Sequence, residues 1–202
     1  MNIDTYIDQA LRSEQPKPAI LGDQGAIAHI SEILIAAGDL ADLLKRQLIY
    51  GKPISHGEIL GAIGLVKDFC ATAEAHRYAP EIQFSETAWH PRLLHAVLGS
   101  FGESAELLDA LLISAEGVEP LDIVNVAEEV GDSAWYLALA MAALDECGVS
   151  PERVLEANIA KLRRRYPEKF SLEASEHRNV EAERALLDAC VAGEDSDGGA
   201  HD

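Results

Sequence analysis

Residues Ala36-Ala-Gly-Asp-Leu-Ala-Asp-Leu-Leu44 lie over Glu103-Ser-Ala-Glu-Leu-Leu-Asp-Ala-Leu111 at an offset of 67. The same offset sets Pro53 on Pro120 and Ile63-Gly64 on Val130-Gly131, and His29 falls within one residue of His95. In both copies apolar residues recur at the three- and four-residue spacing of a helix face, whereas strand-like alternation bounded by turn residues is missing. A helix followed by a second helix, present twice, predicts two amphipathic hairpins able to bury each other's apolar faces. The expected architecture is all-α: a four-helix-bundle-like pseudo-dimer of two tandem helical hairpins with flanking helices.

Working outward, helices are expected at about 2–13, 25–50, 56–77, 91–115, 121–147, 151–165 and 172–191. Ser55-His-Gly-Glu58 has the form of a capping box, and Ser150-Pro151-Glu152 offers an N-cap, a first-turn proline and an acid suited to the helix dipole. Gly148 stands where a C-cap would close the helix before it. The predicted organisation is an N-terminal helix and linker over 1–24, a first hairpin over 25–88, a second hairpin with C-terminal helices over 89–191, and a disordered acidic tail over 192–202.

Composition narrows the function. With 16 Lys and Arg against 35 Asp and Glu, the formal charge is −19, spread along the chain rather than confined to one end. Phosphate backbones and anionic lipid are bound by clustered cations, so neither a nucleic-acid polymer nor a membrane is an expected partner. Met1 to Arg12 carries two acids and no apolar core, and no later run approaches the roughly 18 apolar residues of a span, so a cytoplasmic protein is expected. Cys70, Cys147 and Cys190 are too few and too scattered for a disulfide framework or a structural zinc site. The seven histidines form no close ligand spacing, and neither a P-loop nor a Gly-x-Ser-x-Gly elbow occurs.

What remains is carboxylate chemistry. Glu103-x-x-Glu106 and Glu129-x-x-Asp132 each place two acids on one face of a helix, so two adjacent helices can aim four carboxylates at one point. Leu94, Leu98, Phe101, Ala105, Leu108 and Leu112 read as the packing stripe of the first of these helices, with its acids opposite. Gly99 and Ala110 share the acids' side and leave room for a ligand or an approaching backbone. Glu129 and Asp132 sit between apolar flanks and are expected to be partly buried. Converging carboxylates repel unless a cation compensates them, and Mg²⁺, a hard ion that bridges carboxylates to phosphates, is the expected cofactor, with Mn²⁺ a substitute.

These residues resemble the all-α nucleoside triphosphate pyrophosphohydrolases of the MazG-like superfamily, related to the dimeric dUTPases, whose signature is an E-x-x-E helix followed by an E-x-x-D helix. The likeness extends through Asp132-Ser-Ala-Trp-Tyr136, Asn158-Ile-Ala-Lys-Leu162 and Arg165-Tyr-Pro-Glu-Lys-Phe170, and to the opening Met1-Asn-Ile-Asp4. It implies hydrolysis of a nucleoside triphosphate, a deoxynucleotide above all, to the monophosphate and pyrophosphate. Glu103, Glu106, Glu129 and Asp132 would be the catalytic, metal-holding acids of the second hairpin. Asn158 and Lys161 would contact substrate, with Arg165 and Tyr166 at its rim. Trp135 reads either as a base-stacking residue or as core, with core the commoner fate. Assembly into homo-oligomers, here a dimer of pseudo-dimers, is a further implication.

The first hairpin departs from this pattern, because its acid positions read Ala36, Asp39, Ala62 and Leu65. The basic stretch expected beyond the first acid helix is absent after Leu111 and present instead in the first copy, as Lys45-Arg46 and Lys52. Lys45 and Lys52 are thus candidates for phosphate contact, with a solvated face as the alternative. The competing function is a nucleotide-binding or regulatory protein of weak turnover on the same scaffold.

Overall fold

The computed structural model describes residues 2–14, 24–74, 87 and 89–192. Among these the chain forms eight helices and no strand: α1 (Ile3–Leu11), α2 (Gln24–Tyr50), α3 (His56–Glu74), α4 (Trp89–Ala115), α5 (Ile123–Asp145), α6 (Pro151–Arg165), α7 (Leu172–Glu176) and α8 (Val180–Ala192). The all-α expectation holds. The ends expected for the third helix, at 75–77, and most of the acidic tail lie outside the described residues.

The chain divides into two compact units, Met1–Ala19 with Glu86–Asp202, and Ile20–Ser85. The first unit is discontinuous in sequence, since α1 joins α4 to α8 across the α2–α3 hairpin. Its union with α5 follows from periodicity. Ile3, Ile7, Ala10 and Leu11 share one face of α1, and Ile7 and Ala10 pack with Ala138, Met141 and Ala142 of α5, flanked by Trp135. Alanine on both sides lets the helices approach closely. The indole N–H of Trp135 donates to the Ala10 carbonyl at 3.1 Å and to Ser13 Oγ at 2.9 Å. Arg92 of α4 closes the far end of α1, donating through Nε and Nη2 to the carboxylate of Glu14 at 2.7 and 2.8 Å.

Helix boundaries follow the local chemistry. Asn2 caps α1 by accepting from the Thr5 amide, Asp122 caps α5, and Ser150 precedes Pro151 at the start of α6. The Ser55–Glu58 capping box is reciprocal: the Ser55 amide donates to Glu58 at 2.9 Å, and the Glu58 amide to Ser55 Oγ at 3.1 Å. Gly148, at φ 84°, ends α5 in a left-handed turn that sends the Val149 amide back to the Leu144 carbonyl. The single helix expected over 172–191 is two. It breaks at His177–Asn179, where Asn179 turns to cap α8 by accepting from the Ala182 amide at 3.0 Å.

The expected packing stripe of α4 needs correction. Phe101, Leu108 and Leu112 are 37%, 57% and 53% exposed, and Leu98 is exposed as well. Together with Val97 and Leu137 of α5 they leave an apolar side uncovered on this unit. The seam with α5 runs along the opposite side of α4, through Ala96, Gly99 and Glu103, because small residues let the two backbones approach where leucines would hold them apart. In the second unit α2 packs on α3, and Ala36 and Ala62 are buried there. These are the positions that the sequence offset sets on Glu103 and Glu129. Methyl groups thus fill in one hairpin the places that carboxylates take in the other.

Candidate metal centre on the α4–α5 seam

Glu103 and Glu106 stand one turn apart on α4, and Glu129 and Asp132 one turn apart on α5. The structure brings three of them together: Glu103, Glu106 and Glu129 each offer a carboxylate oxygen within 4.8 Å of the other two. Glu129 is buried at 7% exposure, Glu103 is half-buried, and Glu106 is exposed. Asp132 lies at the edge of this group, exposed and acting on it through its charge. Glu128, the neighbour of Glu129, points to solvent as its register requires.

The electrostatics show strain of a definite kind. A hydrogen bond with Glu103 lifts the Glu129 carboxyl above its ordinary value; burial adds to this, as do the charges of Glu103, Glu128 and Asp132. The donor set fits a hard divalent ion. It consists of carboxylate oxygens alone, from two rigid helices, at separations one ion can span, with an exposed member on the open side.

Sequence reasoning passed over Tyr136. It follows Asp132 by one turn, and its ring fills the space where Gly99 lacks a side chain: a Cβ there would stand 2.0 Å from Tyr136 Cε1. Burial raises the Tyr136 hydroxyl above its ordinary value, and the nearby charges of Glu103, Asp132 and Glu106 raise it further. The signal was the glycine, which the sequence reading took as room for a ligand or an approaching backbone and which receives an aromatic ring. Tyr136 stands edge-on to Trp135, with centroids 4.9 Å apart, and edge-on to His95 at 5.5 Å. Trp135 itself resolves to core, since α1 takes its N–H.

The remaining candidates are more dispersed. Asn158 is exposed and Lys161 half-buried on α6. Arg165 is committed to Glu183 of α8 through Nε at 2.8 Å and Nη2 at 2.5 Å, and Arg178 meets the same carboxylate at 2.7 Å. Its neighbour Tyr166 caps α6 and packs on Phe170 with centroids 5.3 Å apart. Lys45 pairs with Asp42 on its own helix at 2.5 Å, and both Lys45 and the half-buried Lys52 belong to the other unit.

Residues 91–170 match the model of the MazG nucleotide pyrophosphohydrolase domain. No curated protein and no solved structure matches the chain. The matched stretch holds all four acids, Tyr136, Asn158 and Lys161, and it leaves α1, the α2–α3 hairpin and α8 outside. The family resemblance thus rests on residues 91–170, the stretch that carries the four carboxylates on their two helices.

Proposed function

We propose that the chain hydrolyses a nucleoside triphosphate, preferentially a deoxynucleotide, between its α and β phosphates, releasing monophosphate and pyrophosphate with Mg²⁺ or Mn²⁺ as cofactor. The observation that carries this reading is the convergence of Glu103, Glu106 and Glu129 within 4.8 Å, inside a segment of this family. Glu103, Glu106, Glu129 and Asp132 hold the cation, and one of these carboxylates orients the attacking water and takes its proton. A divalent ion bound there supplies charge neutralisation for the phosphoryl oxygens and lowers the pKa of water. The side chain of Tyr136 walls the inner end of the site. Asn158 and Lys161 on α6 meet sugar, base or phosphate, and Tyr166 lies at the rim. Arg165 supports that rim through Glu183.

The reaction belongs to upkeep of the nucleotide pool in the cytoplasm. Self-association through the exposed Phe101, Leu108 and Leu112 side of α4 is part of the same reading, and sedimentation of wild type against Leu108→Glu checks it. The activity is tested by incubating the protein and a Glu129→Gln control with ribo- and deoxynucleoside triphosphates and Mg²⁺, then separating the products. Monophosphate and pyrophosphate from the wild type alone support the reading; orthophosphate, or no turnover with either metal, refutes it.

A further inference from the structure

Helix α1 lies some 80 residues before the matched segment, yet it is wired to the side chains around the carboxylates. Its C-terminal turn accepts the Trp135 indole N–H twice, at the Ala10 carbonyl and Ser13 Oγ. Ile7, 6% exposed, and Ala10, 6% exposed, seal the apolar side of the same contact. Trp135 in turn stands perpendicular to Tyr136 at 4.9 Å, and Tyr136 is pressed onto Gly99 of α4 beside Glu103, with Asp132 one turn away on its own helix. This is a continuous run of packed groups from α1 to the acids. The Trp135 edge, the His95 ring at 5.5 Å and the Gly99 backbone together hold the Tyr136 ring in place.

From this we infer that α1 is a latch on the metal centre, with Ile7, Ser13 and Trp135 acting as positioning residues that fix Tyr136 and, through it, the spacing of the carboxylates. The inference rests on the pyrophosphohydrolase reading of that cluster and extends the functional unit beyond the matched residues to a helix at the other end of the chain. A wall held by packing and two hydrogen bonds tightens the geometry in which the acids meet cation and substrate. Loosening it spreads the cluster without removing a ligand.

The test uses the full chain with Ile7→Ala, which loosens α1, and Trp135→Phe, which keeps a ring and deletes the donor. Circular dichroism confirms that each is folded. Mn²⁺ affinity is read by titration and turnover by kcat and KM. In a Trp89→Phe background the emission of Trp135 reports release of α1 in the Ile7→Ala protein. The expected result is about a fivefold weaker Mn²⁺ affinity and a similar fall in kcat in both variants, the size of one lost hydrogen bond, with KM changed much less. Ile7→Leu, which refills the contact, restores both. Wild-type Mn²⁺ affinity and kcat in folded Ile7→Ala and Trp135→Phe proteins would overturn the latch while leaving the site intact. A wild type that neither binds Mn²⁺ nor turns over would overturn the underlying reading and the latch with it.

Discussion

Glu129 is the buried one of three converging acids, and the proposed activity makes it the residue most sensitive to change. On the proposed reading, replacing it by glutamine removes a ligand and also a repelling charge. Glu129→Gln is therefore expected to lose about 100-fold or more in turnover, the scale at which metal sites respond to damage in their ligand shell. In the metal-free protein at neutral pH its melting temperature should equal or exceed that of the wild type, and the rise expected of the wild type on adding Mg²⁺ should be missing. A calorimetric scan with and without Mg²⁺ separates this from simple unfolding, which would lower the metal-free value. Gly99 gives a steric counterpart. An added methyl would stand 2.0 Å from Tyr136 Cε1. Gly99→Ala should then cost about 1–3 kcal/mol of stability by overpacking and lower kcat as the ring moves, which denaturant titration and kinetics can follow. The acids were legible in sequence because spacing alone puts i and i+3 on one side of a helix. The partner of Gly99 was not, since no local pattern says which side chain from another helix will enter a glycine's space.

Between helices, the clasp of α6 on α8 is electrostatic. Glu183, 4% exposed, receives Arg165 in a two-pronged contact and Arg178 in a single one, and these bonds hold its carboxyl at about 2 against an ordinary 4.5. A carboxyl depressed in the folded state binds its proton less tightly than in the unfolded chain. Its contribution is therefore complete above pH 4.5 and is lost as the pH falls toward 2. Glu183→Gln should unfold at lower urea concentration than the wild type at neutral pH, because it leaves two guanidinium groups facing a neutral amide. The two proteins should converge in stability as the pH is lowered through that window; parallel curves down to the acid limit would exclude the clasp. None of this was visible in sequence, where Arg165 was singled out as a rim residue for substrate and its partner Glu183 lies 18 residues away on another helix. The break at His177–Asn179 was hidden for a related reason: no glycine or proline marks it, and Asn179 shows itself as a cap only where it accepts from the Ala182 amide. Caps with a local partner, such as Ser55 with Glu58, were read correctly because both halves lie within four residues.

For the whole molecule the informative pair is Glu14 and Arg92. They are 78 residues apart in sequence, yet Glu14 Oε1 is 2.7 Å from Arg92 Nε, so the point where the chain leaves α1 and the point where it enters α4 lie side by side. In sequence, the α2–α3 hairpin is thus an insertion between two parts of the first unit. Tandem similarity at an offset of 67 had suggested two successive hairpins, with α1 set apart as a leader. That division cannot be drawn from periodicity, because the contact that ties α1 to α5 spans more than a hundred residues and leaves no local mark. If the first unit is complete in itself, residues 15–88 can be replaced by a Gly/Ser linker of about six residues, which reaches roughly 20 Å, to join Glu14 to the start of α4. The shortened chain keeps the α1 latch, the four acids and the Arg165–Glu183 clasp. It is expected to fold cooperatively and, like the full chain on the proposed reading, to gain melting temperature with Mg²⁺, as measured by differential scanning calorimetry over a Mg²⁺ series. A shortened chain that melts without cooperativity would show that the first unit needs the hairpin to fold. One that folds but no longer responds to Mg²⁺ would show that the hairpin carries part of the cation site.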